Sequence, residues 1–538
     1  MSTAALSRGL RGSRCAALAV LTILAACGGS AAPDRQTLID SRDNYDPRSL
    51  DPALSTDVPT GRAVSYVFDG LTRFTPSAQV VPNLATSWEL ASDGVTYTFH
   101  LKHGVLFHDG TGFSAADVRH SWERVLDPKT QGGRGWPLYP IRGAQEFAAG
   151  TAKSIAGLAV INDSTIRLTL TEPFAIFPKM LAMPATAIVP MRTPSDFGEH
   201  PIGTGPWKFV AWHHDDYLLF ARNERYHDGA PLADSLEARI IPELSTAEAE
   251  FEAGNVDVLP VPAQESPSWQ ANDEQRRLLH SAPSLRLIYG AINTTRGPLR
   301  DARVRQAINL AVDRGMILKR LMGGRGTLAG GVIPPSLDGY DPSLAAYPYD
   351  SARAIRLLRE AGYPNGIDIE LWTSQSEQFP RIAQTIQAYL ARVGIRVKLV
   401  QRDASSMREA ARNGKTDIAL KDWYADYPDA ENFLYPLLHS ANRGVGGNVS
   451  FFSNARFDSV VSAARREPDD QKRFALYRTA DSIAHDEAPM LFMFFYTELY
   501  AVQPWLKGFT VPSIFTGERW TEARIELPDT NTVKRAAK

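Results

Sequence analysis

"IDIELWTSQSEQFPRIAQTIQAYLARVGIRVKLVQRDASSMREAARNGKTDIALKDWY", residues 367–424, switches repeatedly between two periodicities. "IDIELWTS", "IRVKLVQRD" and "TDIALKDWY" read as strands. Between them, "FPRIAQTIQAYLARVG" and "SSMREAARNG" read as helices stopped by Gly394 and Gly414. Just upstream, "SARAIRLLREAG" reads as a helix with Ser351 at its start and Gly362 at its end. Strands alternating with helices predict a parallel-type α/β sheet over this region. Its last strand runs directly into Trp423, Tyr424 and Asp426. Open α/β sheets bind ligands outside the carboxyl ends of their strands, so this segment is expected to end at a binding site.

Upstream, "DARVRQAINLAVDRGMILKRLMGG" places Val304, Ile308, Ala311 and Val312 on one helical face, with Asp301 as cap. The region from about 64 to 126 is strand-like: "VTYTFHL" alternates apolar with polar after the turn "SDG", and "FHDGTGFSAADVRHSWERVL" leads through a turn into a helix. Ser114 and Asp117 have the spacing of a capping box at that helix's start. "GLAVINDSTIRLTL" and "WKFVAWHHDDYLLFARN" read as hairpins, the second with its tip near His213 to Asp216.

A chain of 538 residues exceeds a single compact core, so two or more domains are expected. The N-terminus carries a basic segment, "MSTAALSRGLRGSR", then "CAALAVLTILAA", an apolar run short for a bilayer span. "LAAC", Leu24 to Cys27, follows and resembles a bacterial lipobox, in which the cysteine is lipidated and becomes the new N-terminus; the plain alternative is an ordinary signal peptide with Cys27 incidental. Cleavage before Cys27 removes Arg8, Arg11 and Arg14 and no acid. That leaves 55 basic against 60 acidic residues, a balance without the basic face a nucleic-acid partner requires. The other of the two cysteines, Cys15, leaves with the leader, so no internal disulfide is expected. Residues 28–36 read as a short flexible tether.

Several long stretches resemble one family in its order. These are "LATSWELASDGVTYTFHLKHGVLFHDGTGFSAADVRHSWERVLDP" (84–128), "IGTGPWKFVAW" (202–212), "ARNERYHDG" (221–229), "FEAGNVDV" (251–258), "DARVRQAINLAVDR" (301–314) and "WYADYPDAENFL" (423–434). They are similar to the family 5 extracellular solute-binding proteins, the peptide- and nickel-type receptors of bacterial ABC importers, and most similar to the oligopeptide-binding lipoproteins. The resemblance implies an α/β, two-lobed periplasmic binding protein type II fold with an extra α/β domain and a ligand cleft between the lobes. Carried onto this chain, residues 1–26 are the leader and 27–35 the lipidated tether. Lobe I comprises 36–75, 196–285 and 497–538, the extra domain 76–195, and lobe II 286–496.

By the same resemblance Asp426 pairs with a peptide α-ammonium, with Asp422, Trp423 and Tyr424 alongside. "VPTGRAVSYVFDGL" (58–71) supplies the lobe I edge through Thr60, Gly61 and Arg62, and Tyr139 and Tyr496 are ligand-facing tyrosines. Two features depart from the family pattern: "YPDA" stands where relatives often have "YPDP", and Arg62 is bulky for its place. The partners implied are a peptide, ABC permease subunits and a membrane reached through the Cys27 lipid, the receptor itself being a monomer. No cofactor or metal is implied.

From the residues alone, Asp426 equally fits a turn cap before Tyr427–Pro428, with Asp429 and Glu431 as solvated loop charges. Trp423 and Tyr424 fit either core aromatics or the walls of a cleft. The run His213–Asp216 holds metal-capable groups, yet a hairpin tip solvates charges without a metal. "GTGPW" (203–207) lacks the lysine of a phosphate loop. His-Glu-x-x-His, Gly-x-Ser-x-Gly and a nucleophilic cysteine are all missing, so an enzyme is not expected. The alternatives are a family receptor for another solute (a metal chelate, an oligosaccharide or an opine) and an extracytoplasmic hydrolase.

Overall fold

In a computed structural model, residues 36–375 and 378–526 are described, and the account below concerns the unit that begins at Thr37. Cys27, the tether and the leader lie outside the described residues. The α/β alternation forms as its periodicity predicts. Strands Ile367–Ser374, Ile395–Arg402 and Ile418–Tyr424 are separated by helices Phe379–Ala391 and Ala404–Arg412. Ile367–Ser374 pairs in parallel with both other strands. Gly394 and Gly414 take φ of +85° and +66°, the left-handed conformation that ends a helix without a Cβ clash. The helix beginning at Ser351 is capped by the residue before it: Asp350 Oδ1 accepts from Arg353 N at 2.8 Å.

The sheet is mixed rather than purely parallel. Leu279–Ile292 pairs antiparallel with Ile418–Tyr424 on one side and with Met490–Val502 on the other. From there the same sheet continues through Val258–Pro260, Thr37–Asp43, Ser235–Ile240, Tyr217–Arg222 and Trp207–His213. The two long central strands therefore pass from one half of the sheet to the other. Their register breaks between Pro283 and Leu287. Proline cannot donate to a ladder and is tolerated inside a sheet mainly at such irregularities, and Leu285 N leaves the ladder for Ser513 O at 3.1 Å. Separate cores flank the break. Leu38, Trp207, Phe220, Leu236 and Val502 pack on one side, and Ile288, Leu371, Ile386, Ile418 and Leu491 on the other.

A second, four-stranded antiparallel sheet has the order Ala85–Leu90, Thr96–Leu101, Thr165–Thr169, Leu158–Asn162. Helix Ala115–Leu126 packs on it through Val118 and Trp122, against Phe99, Ile166 and Leu168. Its start is the expected box, Ser114 N donating to Asp117 Oδ2 at 2.8 Å. The apolar cluster of this sheet runs on into the helices Glu431–Leu438, Ala455–Arg466 and Asp470–Glu487, through Phe177 and Met180 to Phe433, Phe457 and Tyr477. That continuity sets the small sheet directly against the segment following Tyr424.

Candidate functional site

The strand Ile418–Tyr424 alternates faces. Ile418 and Leu420 enter the core that holds Leu371 and Ile386, whereas Ala419 and Trp423 face the cluster shared with the small sheet. Beyond Tyr424 the backbone leaves the ladder under side-chain control. Ala425 N donates to Leu285 O at 2.8 Å, and Asp426 N donates to the buried Asn432 Oδ1 at 2.9 Å. Trp423 Nε1 reaches the same oxygen at 3.3 Å. Asn432 thus fixes the backbone that aims Asp426.

The Asp426 carboxylate accepts from Arg134 Nη1 at 2.9 Å, the two side chains being 14% and 30% exposed. Among the described residues it takes no backbone N–H of the turn that follows, so the turn-cap role does not form. Arg134 comes from the loop between helix Ala115–Leu126 and the single turn Trp136–Leu138. Asp429 and Glu431 are buried rather than solvated. Lys179 Nζ donates to Asp429 Oδ2 at 2.7 Å and to Pro428 O at 3.0 Å. Burial pushes the Asp429 carboxyl up, but the Lys179 ammonium outweighs it and holds the group below the usual carboxylate range. Glu431 pairs with Arg465 at 2.8 Å and accepts from the Tyr427 hydroxyl; burial raises its pKa.

Arg134 and Asp426 face a cavity of about 100 Å³. Its walls come from several parts of the chain. Ser55 to Val58 form one side, Met183 to Ala185 another, Tyr424 and Asp426 a third, and Phe515 stands edge-on to Tyr424 with ring centroids 5.8 Å apart. Asp57 caps the helix Val58–Val67, its Oδ1 accepting from Thr60 N at 3.0 Å. Its Oδ2 is buried and takes no hydrogen bond, with Arg48 Nε 3.9 Å away on a solvent-exposed side chain. Two carboxylates and one guanidinium therefore leave the lining one negative charge in excess. Burial pushes the Tyr424 phenol well up, keeping it neutral. The volume holds about three waters and falls short of the roughly 300 Å³ of a small-ligand pocket. This arrangement admits the tip of a solute, and a whole one requires the walls to part.

The other residues singled out from the sequence lie elsewhere. Asp422 lies outside the cavity lining, two residues before Tyr424, and is held by Arg286, Nη2 to Oδ2 at 2.7 Å. Tyr496 lies between guanidiniums, with Arg286 and Arg325 at 5.1 and 4.9 Å from its ring centroid and Arg325 Nη2 2.6 Å from its hydroxyl. Thr60, Gly61 and Arg62 sit inside the buried first turns of their helix, below the cavity wall that Asp57 and Val58 form. A Cβ on Gly61 would stand 2.6 Å from the Phe515 ring, so glycine there lets Phe515 close the cavity. Arg62 is buried in an ion pair with Asp43, whose charge outweighs desolvation and raises the guanidinium pKa. Tyr139 is 38% exposed and outside the lining. Trp423 is half-buried against the apolar cluster. At the hairpin tip, His214 Nδ1 lies 2.8 Å from Asp46. The residues that sequence reasoning missed are Asp57, Arg134 and Phe515. A lone arginine among glycines in "QGGRGWP" (131–137) was the one available signal for Arg134.

A more open depression of about 420 Å³ lies at Thr295–Arg300, Asp368 and Asp417, but its charges already pair, Arg296 Nε with Asp417 Oδ1 at 2.5 Å and Asp368 with Arg396 at 2.7 Å. The cavity at Asp426 is therefore the stronger candidate.

Comparison with known proteins gives the family. Residues 79–445 match the bacterial extracellular solute-binding proteins, family 5 Middle. The chain is 31% identical over 527 residues to the heme-binding protein A of Haemophilus influenzae, covering 91% of this chain and 95% of that protein. It is 30% identical over 490 residues to the dipeptide-binding protein of Escherichia coli, covering 86% and 90%. Among solved structures, the DppA periplasmic binding protein of Helicobacter pylori, in complex with the peptide STSA, superposes with a TM-score of 0.77 at 29% identity, covering 91% of this chain and 98% of that one. These relatives are binding proteins, and the fold they share is the two-lobed periplasmic one. With its mixed sheet broken at Pro283 and its cavity walled from several parts of the chain, this protein belongs to the family 5 bacterial extracellular solute-binding proteins.

Proposed function

We propose that the protein captures peptides in a cleft between its lobes and delivers them to the permease of an ABC importer, anchored to the membrane by a lipid on Cys27. The observation that carries this is the Asp426 carboxylate, aimed by Asn432 into a partly open cavity whose lining keeps one negative charge in excess. A buried ammonium needs such a partner, because burying it alone costs far more than a hydrogen bond returns. The relatives named for dipeptide binding and solved with a tetrapeptide support the ligand class. Lobe I comprises 36–75, 196–285 and 497–538, lobe II 286–496, and the extra domain 76–195; the register break between Pro283 and Leu287 is where the lobes flex. Asp426 holds the peptide α-ammonium, Tyr424 and Phe515 enclose the first residue, and the protein acts as a monomer without catalysis.

A second reading, a different solute on the same receptor, draws support from Arg134, which already satisfies Asp426, and from the relative named for heme. Thermal-shift titration with free-amine di- to pentapeptides, their N-acetylated forms and heme separates the two. Stabilisation by free-amine peptides alone supports the peptide receptor, and stabilisation by heme with no peptide response replaces it.

A further inference from the structure

Asp426, the group assigned to the ligand's ammonium, already holds a cation. Arg134 Nη1 lies 2.9 Å from Asp426 Oδ1, and both side chains line the same cavity. The two residues are 292 positions apart, so the contact is made by docking of the small-sheet domain on the segment after Tyr424, not by local geometry. Lys179–Asp429 and the ring contact of Trp136 with Tyr427, centroids 6.3 Å apart, fix that docking independently of Arg134. The ionisable side chains of the lining are Asp57, Arg134, Tyr424 and Asp426. Asp57 Oδ2, buried without a donor, adds a second negative group to the wall.

We propose that Arg134 is a specificity-determining residue, the resident counter-cation of Asp426, and that a ligand's cationic end binds at its expense. This rests on Asp426 as the cation subsite. Binding is then an exchange of one cation for another on a carboxylate that stays charge-matched throughout. The guanidinium is partly exposed and can swing to water, whereas a ligand lacking a cationic end has nothing to offer Asp426 in return. The ligand class that follows is a solute with a primary ammonium or guanidinium at one end, in preference to its acetylated or anionic counterpart. Arg134 sets how strong that cation must be. Without it, Asp426 has no cation among the lining groups and accepts weaker or smaller cations.

The test uses the full mature chain with Arg134→Ala and Arg134→Lys. The first empties the guanidinium's place and the second keeps the charge without the fork. Melting is followed with 20 mM methylguanidinium or methylammonium against equal sodium chloride, and free-amine tripeptide affinity is measured by calorimetry. Expected are a lower melting temperature for Arg134→Ala that methylguanidinium restores and sodium does not, about tenfold tighter tripeptide binding than wild type, and near wild-type behaviour for Arg134→Lys. Weaker tripeptide binding by Arg134→Ala would show that Arg134 holds the ligand itself and would overturn the proposal. So would an unchanged melting temperature and affinity. Methylguanidinium rescue with no tripeptide binding to any of the three proteins would leave the exchange site standing and overturn the peptide assignment instead.

Discussion

Replacing Asp426 with asparagine keeps the size and one acceptor of the side chain while removing the charge that holds Arg134 and that is assigned here to the ligand's ammonium. In the empty protein the Arg134–Asp426 pair lies between two regimes: exposed pairs are worth about 0–1 kcal/mol, and breaking a buried one costs about 3–5. At 14% and 30% exposure, about 1–2 kcal/mol of docking stability should be lost. For a bound peptide, removing one partner of a desolvated charge pair costs about 2–5 kcal/mol. Binding to wild type, however, first gives up the Arg134 contact. The net loss of affinity is therefore about 1–3 kcal/mol, or roughly 5- to 150-fold. N-acetylation of the peptide should weaken binding to wild type by a similar factor. The two changes should not add, because each breaks the same pairing. Isothermal calorimetry of the four combinations gives the cycle directly. Full additivity, with acetylation costing Asp426→Asn as much as wild type, would refute the assignment of the ammonium to Asp426.

Three further outcomes are expected. Asp481 is buried, and desolvation raises its carboxyl to about 7 although it accepts Val332 N at 2.7 Å. Its stabilising contribution is complete below about pH 4, where both states are protonated. It is lost as pH rises towards 7, because the unfolded chain ionises first, a difference on the order of 4 kcal/mol. Scanning fluorimetry should show wild type losing more melting temperature between pH 5 and pH 8 than Asp481→Asn, and parallel pH profiles would contradict this. Gly61→Ala should destabilise by about 1–3 kcal/mol in urea titration, since its Cβ would press within 2.6 Å of the Phe515 ring, and an unchanged midpoint would show that Phe515 yields freely. Cys27→Ser should abolish incorporation of labelled fatty acid while leaving ligand affinity of the soluble body intact, and retained label would place the lipid elsewhere.

What the sequence disclosed was local in origin. The strand–helix alternation over 351–424, the glycine stops at 394 and 414 and the Ser114–Asp117 box are each written within a few residues, and each forms. What it concealed depends on partners far along the chain. Nothing near Ile418 announces that Leu279–Ile292 pairs beside it in the opposite direction and makes the sheet mixed. Asp429 and Glu431 look like solvated loop charges until Lys179 and Arg465 arrive from 250 and 34 residues away. The lobe I wall was displaced for a different reason. Val58–Val67 is a helix that Asp57 caps, with Pro59 in its first turn, so Thr60 and Arg62 turn inward and Asp57 with Val58 meets the cavity instead. The resemblance sets Asp422 alongside Asp426, but Asp422 is taken up by Arg286 and stays outside the lining.

The contacts that hold the small-sheet domain against the segment after Tyr424 bear on how a ligand could govern closure. Arg134–Asp426, Lys179–Asp429 and Arg466–Glu172 are ion pairs with at least one partly exposed member. Exposed pairs contribute little singly, and salt weakens them further. Around them the apolar contacts, Phe177 and Met180 with Phe433 in one cluster and Trp136 on Tyr427, fix the register of docking. A ligand shifts such an equilibrium only by its difference in affinity for the two states. If the 1–3 kcal/mol worked out for the Asp426 exchange is realised only when the walls are closed, it moves the closed population by about 5- to 150-fold, enough to turn an even balance into a committed one. A site held shut by a stronger, fully buried pair would not respond to a single ammonium. Under the proposed exchange, the partial exposure of Arg134 is what lets one charge on a solute shift the balance between the two states.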